Sequence, residues 1–146
     1  MVPPRGSRLI LRFIGLAIPY GAGAAYSSAE AAQRTLAAFV ASAGMPHPAI
    51  VDTGTEVDCY SPFTTGVAKA LWLPVARALR DAARAAGLVA DHEVTVDAGS
   101  LWRVPGTTNR DVHPPVAIVI TDMGDGPHEL ADLRRRLARS TLRIVG

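Results

Sequence analysis

Gly99-Ser100-Leu101-Trp102-Arg103-Val104-Pro105-Gly106-Thr107-Thr108-Asn109 is the stretch on which the reading of this chain turns. An apolar run, an arginine, a Pro-Gly turn and small hydroxyl and amide side chains follow one another without a gap. Pro105 fixes its own φ, and Gly106 accepts the positive φ that a type II turn demands at the next position. Thr107, Thr108 and Asn109 leave the turn carrying donors and acceptors, and Arg103 precedes it with a planar fork suited to phosphate. Such a loop can offer backbone N–H groups and a cation to an anionic ligand. By local chemistry alone, a surface turn joining two strands is the simpler reading.

Upstream, Ser27 and Glu30 have the spacing of a capping box. The helix they open carries Ala32, Leu36, Phe39, Val40 and Ala43 on one face, and Gly44 ends it as a left-handed cap before Pro46 and Pro48. Residues 49–52 read as a short strand, 53–55 as a turn and 56–60 as a half-buried strand, with Val57 and Cys59 facing one way and Glu56, Asp58 and Tyr60 the other. Residues 62–66 read as a loop. A second helix runs from Val67 or Lys69 to Ala86, with Leu71, Val75, Leu79, Ala82 or Ala83, and Ala86 towards the core. Pro74 marks its true start or kinks it. Residues 94–96 and 101–104 read as strands, and the apolar run 115–121 as a central strand covered on both faces. Pro127 opens a third helix whose later turns hold Arg134, Arg135, Arg136 and Arg139, where cations complement the dipole. They also form the best basic patch in the chain. The alternation of helices and strands predicts an α/β or α+β layer fold.

Composition narrows the class. With 146 residues, 49% of them hydrophobic and 19% charged, the chain can bury a core and is not disordered. A net charge of +2 is too small to argue for nucleic acid by itself. Cys59 is the single cysteine, which excludes an intrachain disulfide and suits a reducing compartment. The four histidines fit no zinc motif, and neither a Walker loop nor a nucleophile elbow is present. Arg5 and Arg8 before the apolar residues 9–18, with Ala22-Gly23-Ala24 behind, imitate a secretory signal. Arg12 and Pro19 interrupt that pattern, and the run is far short of the ~20 residues of a membrane span. A buried strand over residues 9–18 is the preferred reading.

Residues 26–120 resemble, in the order of their elements, the primase–polymerase domain of the archaeo-eukaryotic primase superfamily in its phage and plasmid form. That domain has an acidic strand, a helix, and a P-x-P-hydrophobic-V-x-S-G-x-G-h-H-x-Y-W segment. A second helix, an acidic h-D position and an R-h-P-G-T-x-N-x-K loop follow. Here the middle segment is residues 45–60, Met-Pro-His-Pro-Ala-Ile-Val-Asp-Thr-Gly-Thr-Glu-Val-Asp-Cys-Tyr; the h-D position is Val96-Asp97; the loop is residues 103–111. The departures are specific. Ala17 and Pro19 stand where the family carries its two strand acids, Asp58 falls on the family histidine, Ser61 on the tryptophan and Asp111 on the lysine. Two-metal nucleotidyl transfer needs carboxylates fixed close together, and Ala17 and Pro19 offer no ligand oxygen.

The resemblance implies a single domain over residues 1–146, shorter at its amino terminus than the family's, with an RRM-like mixed sheet and helices packed on it. It implies Asp58 and Asp97 as the remaining catalytic and metal positions, and Arg103, Thr107, Asn109 and Arg110 as nucleotide or phosphate ligands. Mg²⁺ or Mn²⁺ would be the cofactor of an active form. Its partners would be nucleotide or nucleic acid and a replication helicase, in the cytoplasm and away from any membrane. The expectation is a degenerate domain of a phage or plasmid replication module that binds nucleotide or primer–template DNA without nucleotidyl transfer. Two others stand beside it: an active enzyme with a metal site rearranged around Asp52, Asp58 and Asp97, and a small exported α/β domain whose first residues are removed.

Overall fold

Alternation along β1, Ile10–Pro19, sends Ile14, Leu16 and Ile18 into the core and turns Phe13, Gly15 and Ala17 to the opposite face. The computed structural model describes residues 9–145, with side chains to residue 140, so Arg5 and Arg8 lie outside the described residues. Cleavage after Ala24, as the exported reading requires, would take β1 out of the sheet. No helix among the described residues is long and apolar enough to cross a membrane.

The first helix, α1, is Ala29–Ala43, and its buried residues are the five that periodicity selects. Its cap lies one residue later than the sequence suggests. Ser28, in extended conformation, accepts from the Ala31 amide at 3.2 Å, which makes Ala31 rather than Glu30 the third helical residue and leaves the capping box unformed. Gly44 takes φ 65° and closes the helix.

β2, Ala49–Asp52, and β3, Glu56–Ala68, flank the expected turn. β3 is longer than expected because it stays paired with β1 from Pro19↔Glu56 to Ile10↔Ala68, so 62–66 is strand rather than loop. Long-range pairing, bent by an irregularity between Leu11 and Phe13, overrides the local signals of Pro62 and Gly66.

α2, Lys69–Ala85, holds Pro74 in its interior, so that residue does not mark the start. Its buried face is Trp72, Val75, Ala76, Leu79, Ala82 and Ala83, whereas Leu71 is 63% exposed. The helix is rotated from the expected phase by Trp72, whose indole N–H donates to the Phe13 carbonyl at 2.8 Å. Residues 92–96 form a short helix, α3 (His92–Val96), instead of a strand; the preceding Asp91 is held by its amide, which donates to the Ala17 carbonyl at 2.8 Å. Residues 101–104 are not strand either.

The apolar run 115–121 is split. β5, Val116–Ala117, pairs with β4, Thr108–Asn109, and β6, Val119–Asp122, pairs with β2 at the edge of the main sheet. Of the run's large apolar residues only Ile118 is buried; the rest lie at the surface because nothing continues the sheet beyond β6 among the described residues. α4, Leu130–Val145, starts later than Pro127, and its arginine triplet lies in its first half. There Arg135 and Arg136 pair with Asp132, and Arg136 donates to the Gly44 carbonyl at 3.0 Å, finishing the C-terminus of α1.

The main sheet has the order β1-β3-β2-β6, every pair antiparallel. α1, α2 and α4 share one apolar cluster with its inner face, in which Leu36, Phe39, Leu79, Leu133 and Leu137 meet Ile14, Leu16 and Val57. The outer face is left to the loops.

Candidate functional site

Register builds the outer face. Ala17, Asp58, Val51 and Ile120 are successive cross-strand partners, forming one row across all four strands. Gly15, Tyr60 and Ala49 form the adjacent row on the same face, and Pro19 lies opposite Glu56. The loop between α3 and β6 folds over this face. Its turn is the one its residues specify: Gly106 has φ 86°, the Thr107 amide donates to the Val104 carbonyl at 3.3 Å, and the Thr107 hydroxyl donates to the same oxygen at 2.6 Å. The Gly106 amide and the Thr107 carbonyl then bond Ile118, holding the loop to the segment before β6.

Asn109 is fully buried. Its Nδ2 donates to the Thr53 carbonyl at 2.8 Å and its Oδ1 accepts from the Asp111 amide at 3.1 Å, which clamps the loop onto the β2–β3 turn. Arg103 is ion-paired with Asp111. Thr107 is exposed, as is Arg110, which forms no ion pair among the described residues.

Asp58 has no exposed surface. Its Oδ2 accepts from the Tyr60 hydroxyl at 3.3 Å, and its Oδ1 has no hydrogen-bond partner among the described residues. Burial, and then the charge of Glu56, push its carboxyl up to about 8, against the opposing pull of Tyr60 and Arg103. These surroundings favour the protonated carboxyl over the carboxylate. Tyr60 is raised as well, by burial first and by Asp58 next.

Asp97 is elsewhere. It follows α3, its Oδ1 accepts from the Gly99 amide at 2.9 Å, and it lines a separate groove along β1 with Arg12, Trp72 and Ser100. Asp52 is engaged by the Tyr20 hydroxyl at 2.7 Å and the Gly54 amide at 2.9 Å, and strand alternation turns it away from Asp58. Among the described residues no three His, Cys, Asp or Glu side chains gather to hold a metal ion. Mg²⁺ and Mn²⁺ seek several hard anionic oxygens at once. A row of Ala17, Val51 and Ile120 around one carboxyl that favours its proton does not fit such a pair of ions.

What the sequence did not announce is an aromatic cluster. Phe13, Tyr60 and Trp102 meet edge to face, with centroids 5.0 to 5.7 Å apart. They border a groove of about 370 Å³ that continues over Val51 and Ile120, with Arg103 and Val104 on its wall. The one signal available was parity: Phe13, Gly15 and Ala17 share a face of β1, and Trp102 precedes Arg103.

The chain is similar to the primase–polymerase (PrimPol) of cyanophage S-2L, AEP domain, with a TM-score of 0.65 at 15% sequence identity. The fold is that of a primase–polymerase domain. The match covers 88% of this chain and 60% of that one, so this chain spans about 60% of that structure's length. No protein-family description and no curated protein sequence matches the chain. The primase–polymerase fold agrees with the resemblance read from residues 26–120.

Proposed function

We propose that this chain is a primase–polymerase-type domain without its metal cage, a binding module for nucleotide or primer–template DNA that does not carry out nucleotidyl transfer. The observation that carries this reading is the row Ala17–Asp58–Val51–Ile120. A two-metal transferase needs clustered anionic oxygens there; this sheet has three apolar side chains and one buried acid. Arg103 on the groove wall and the exposed Arg110 are the phosphate contacts, Thr107 belongs to the turn between them, and Asn109 holds that turn in place. Guanidinium–phosphate contacts position a nucleic acid without reading its sequence. In a phage or plasmid replication module, in the cytoplasm and beside a helicase, such a domain would hold its ligand for the rest of the machinery.

Fluorescence anisotropy with a labelled primer–template, over a salt series, tests the binding half. Saturable binding that weakens with salt is expected, with Arg103→Ala and Arg110→Ala each flattening the salt slope by about 1. Primer extension with Mg²⁺ or Mn²⁺ tests the other half, and none is expected. Extension that Asp58→Ala or Asp97→Ala abolishes would overturn the loss of catalysis.

A further inference from the structure

We infer that the free edge of β1 takes an extended peptide of a partner protein, added to the sheet as a further strand, with a basic side chain of that peptide at Asp97. The site lies at the opposite edge of the sheet from β6 and does not rest on the DNA-binding reading above.

β1 ends the sheet on its side. The Phe13 and Ala17 carbonyls are turned away from β3, since the Trp72 indole N–H and the Asp91 amide reach them from outside the sheet, each at 2.8 Å. Gly15 lies midway between them. Main-chain groups alternate along a strand, so its N–H and C=O point to the same edge, where no partner meets them among the described residues. An unpaired edge of this kind is a template for another strand. A groove of about 380 Å³ follows it from Leu9 to Gly15, with the loop from Asp97 to Trp102 as its far wall. At ~3.3 Å per residue that is about 20 Å of strand, a length suited to an extended chain. Leu9 is 52%, Ile10 50% and Leu101 97% exposed, so apolar surface awaits alternate side chains of that chain.

Two further features call for an occupant. Thr95 lines the groove and is only 1% exposed, yet its Oγ1 has no partner among the described residues. A buried hydroxyl left unpaired costs a hydrogen bond, which a peptide group entering the groove restores. Asp97 and Arg12 also line it, and neither belongs to an ion pair among the described residues. Asp97 is engaged only through Oδ1, by the Gly99 amide, which leaves Oδ2 for a cation. A run of phosphates would meet Asp97 unfavourably. A peptide can set a lysine or arginine there and an acid at Arg12, while its main chain bonds the edge of β1.

The test uses labelled peptides of one short length with blocked ends, on the full chain at low salt. Each alternates valine with threonine and carries lysine, glutamate or threonine at its centre; a fourth is the lysine peptide with its amides N-methylated. The lysine peptide is expected to bind roughly 2- to 30-fold more tightly than the glutamate one, a surface attraction set against a surface repulsion. It should slow amide exchange at Gly15, and N-methylation should abolish saturable binding. Asp97→Lys should reverse the order of the lysine and glutamate peptides. Should that variant fail to fold, Asp97→Asn, which keeps an acceptor for the Gly99 amide, should bring the two level. No saturable binding of any peptide up to millimolar concentration overturns the proposal. Binding that survives N-methylation overturns the added strand, and a preference that neither Asp97 variant moves overturns the place of the basic side chain. A chain that dimerises with slowed exchange at Gly15 makes a second copy the occupant, which overturns the partner peptide.

Discussion

Ala17 of β1 lies directly across from Asp58 of β3 on the outer face of the sheet. Val51 of β2 is the other neighbour of Asp58 in that row. The carboxyl therefore has a methyl group on one side and an isopropyl group on the other, and no water reaches it. Charge is costly in such surroundings, and a proton resolves the cost. With Ala17 and Val51 as its row neighbours, Asp58 has no second carboxylate beside it in that row with which to share a cation.

That state has a pH signature. The pKa of Asp58 is raised on folding, so the folded chain binds a proton that the unfolded chain releases. Stability from this group is fully present below the ordinary carboxyl range and is lost as pH rises towards about 8. The slope reaches at most ~1.4 kcal/mol per pH unit. His92, with its pKa lowered by burial and Arg84, acts in the opposite sense near its ordinary range, so the informative measurement is a difference. Asp58→Asn should match the parent only below the ordinary carboxyl range, near pH 3, and exceed it in urea unfolding at pH 8. Parallel stability curves for the two proteins would rule out a protonated Asp58.

Asn109 yields a prediction about stability. Its side chain joins the loop to the Thr53 carbonyl from a fully buried position, and Asn109→Ala leaves that oxygen and the Asp111 amide to find other partners. A loss of about 1–3 kcal/mol is expected, with faster amide exchange at Ile118, which bonds the Thr107 carbonyl. Asn109→Asp keeps the acceptor but loses the Nδ2 donor, and should recover little. Unchanged stability in both variants would contradict the clamp.

Why Asn109 could be named from the sequence while its bond to Thr53 could not is a matter of range. The α1 face, the Gly44 cap and the Pro105-Gly106 turn were legible because each is set by residues within a few positions of one another. Thr53 lies 56 residues from Asn109, and nothing local announces the pair. For the same reason the phase of α2 was misread: Leu71 and Trp72 are both apolar, and only the Phe13 carbonyl selects between them. Residues 94–96 and 115–121 carry strand-like composition, yet their state depends on whether a partner edge is available. Tertiary context overrides β propensity in such short segments.

The phase of α2 can be tested directly. Trp72→Ala removes a buried indole and should cost about 3–5 kcal/mol. Leu71→Lys, at an exposed position, should stay within about 0.5 kcal/mol of the parent. Chemical denaturation of the two variants reads both values, and the reverse order would restore the helical face read from the sequence.

Asp111 bears on how the loop binds anions. It holds Arg103 in an ion pair at the surface. A phosphate arriving at Arg103 must take the place of this carboxylate, so part of the attraction is offset before binding begins. Asp111→Asn removes the competing charge while keeping the backbone amide that donates to Asn109. Single-stranded DNA should bind a few-fold more tightly to it, with a salt slope steeper by up to about 0.7, one phosphate contact. In an Arg103→Ala background the same change should yield only the small, nonspecific gain of removing one acid, because the group it frees is absent. A full gain in both backgrounds would mean that Asp111 acts through net charge alone, and Arg103 would then lose its place as the phosphate contact.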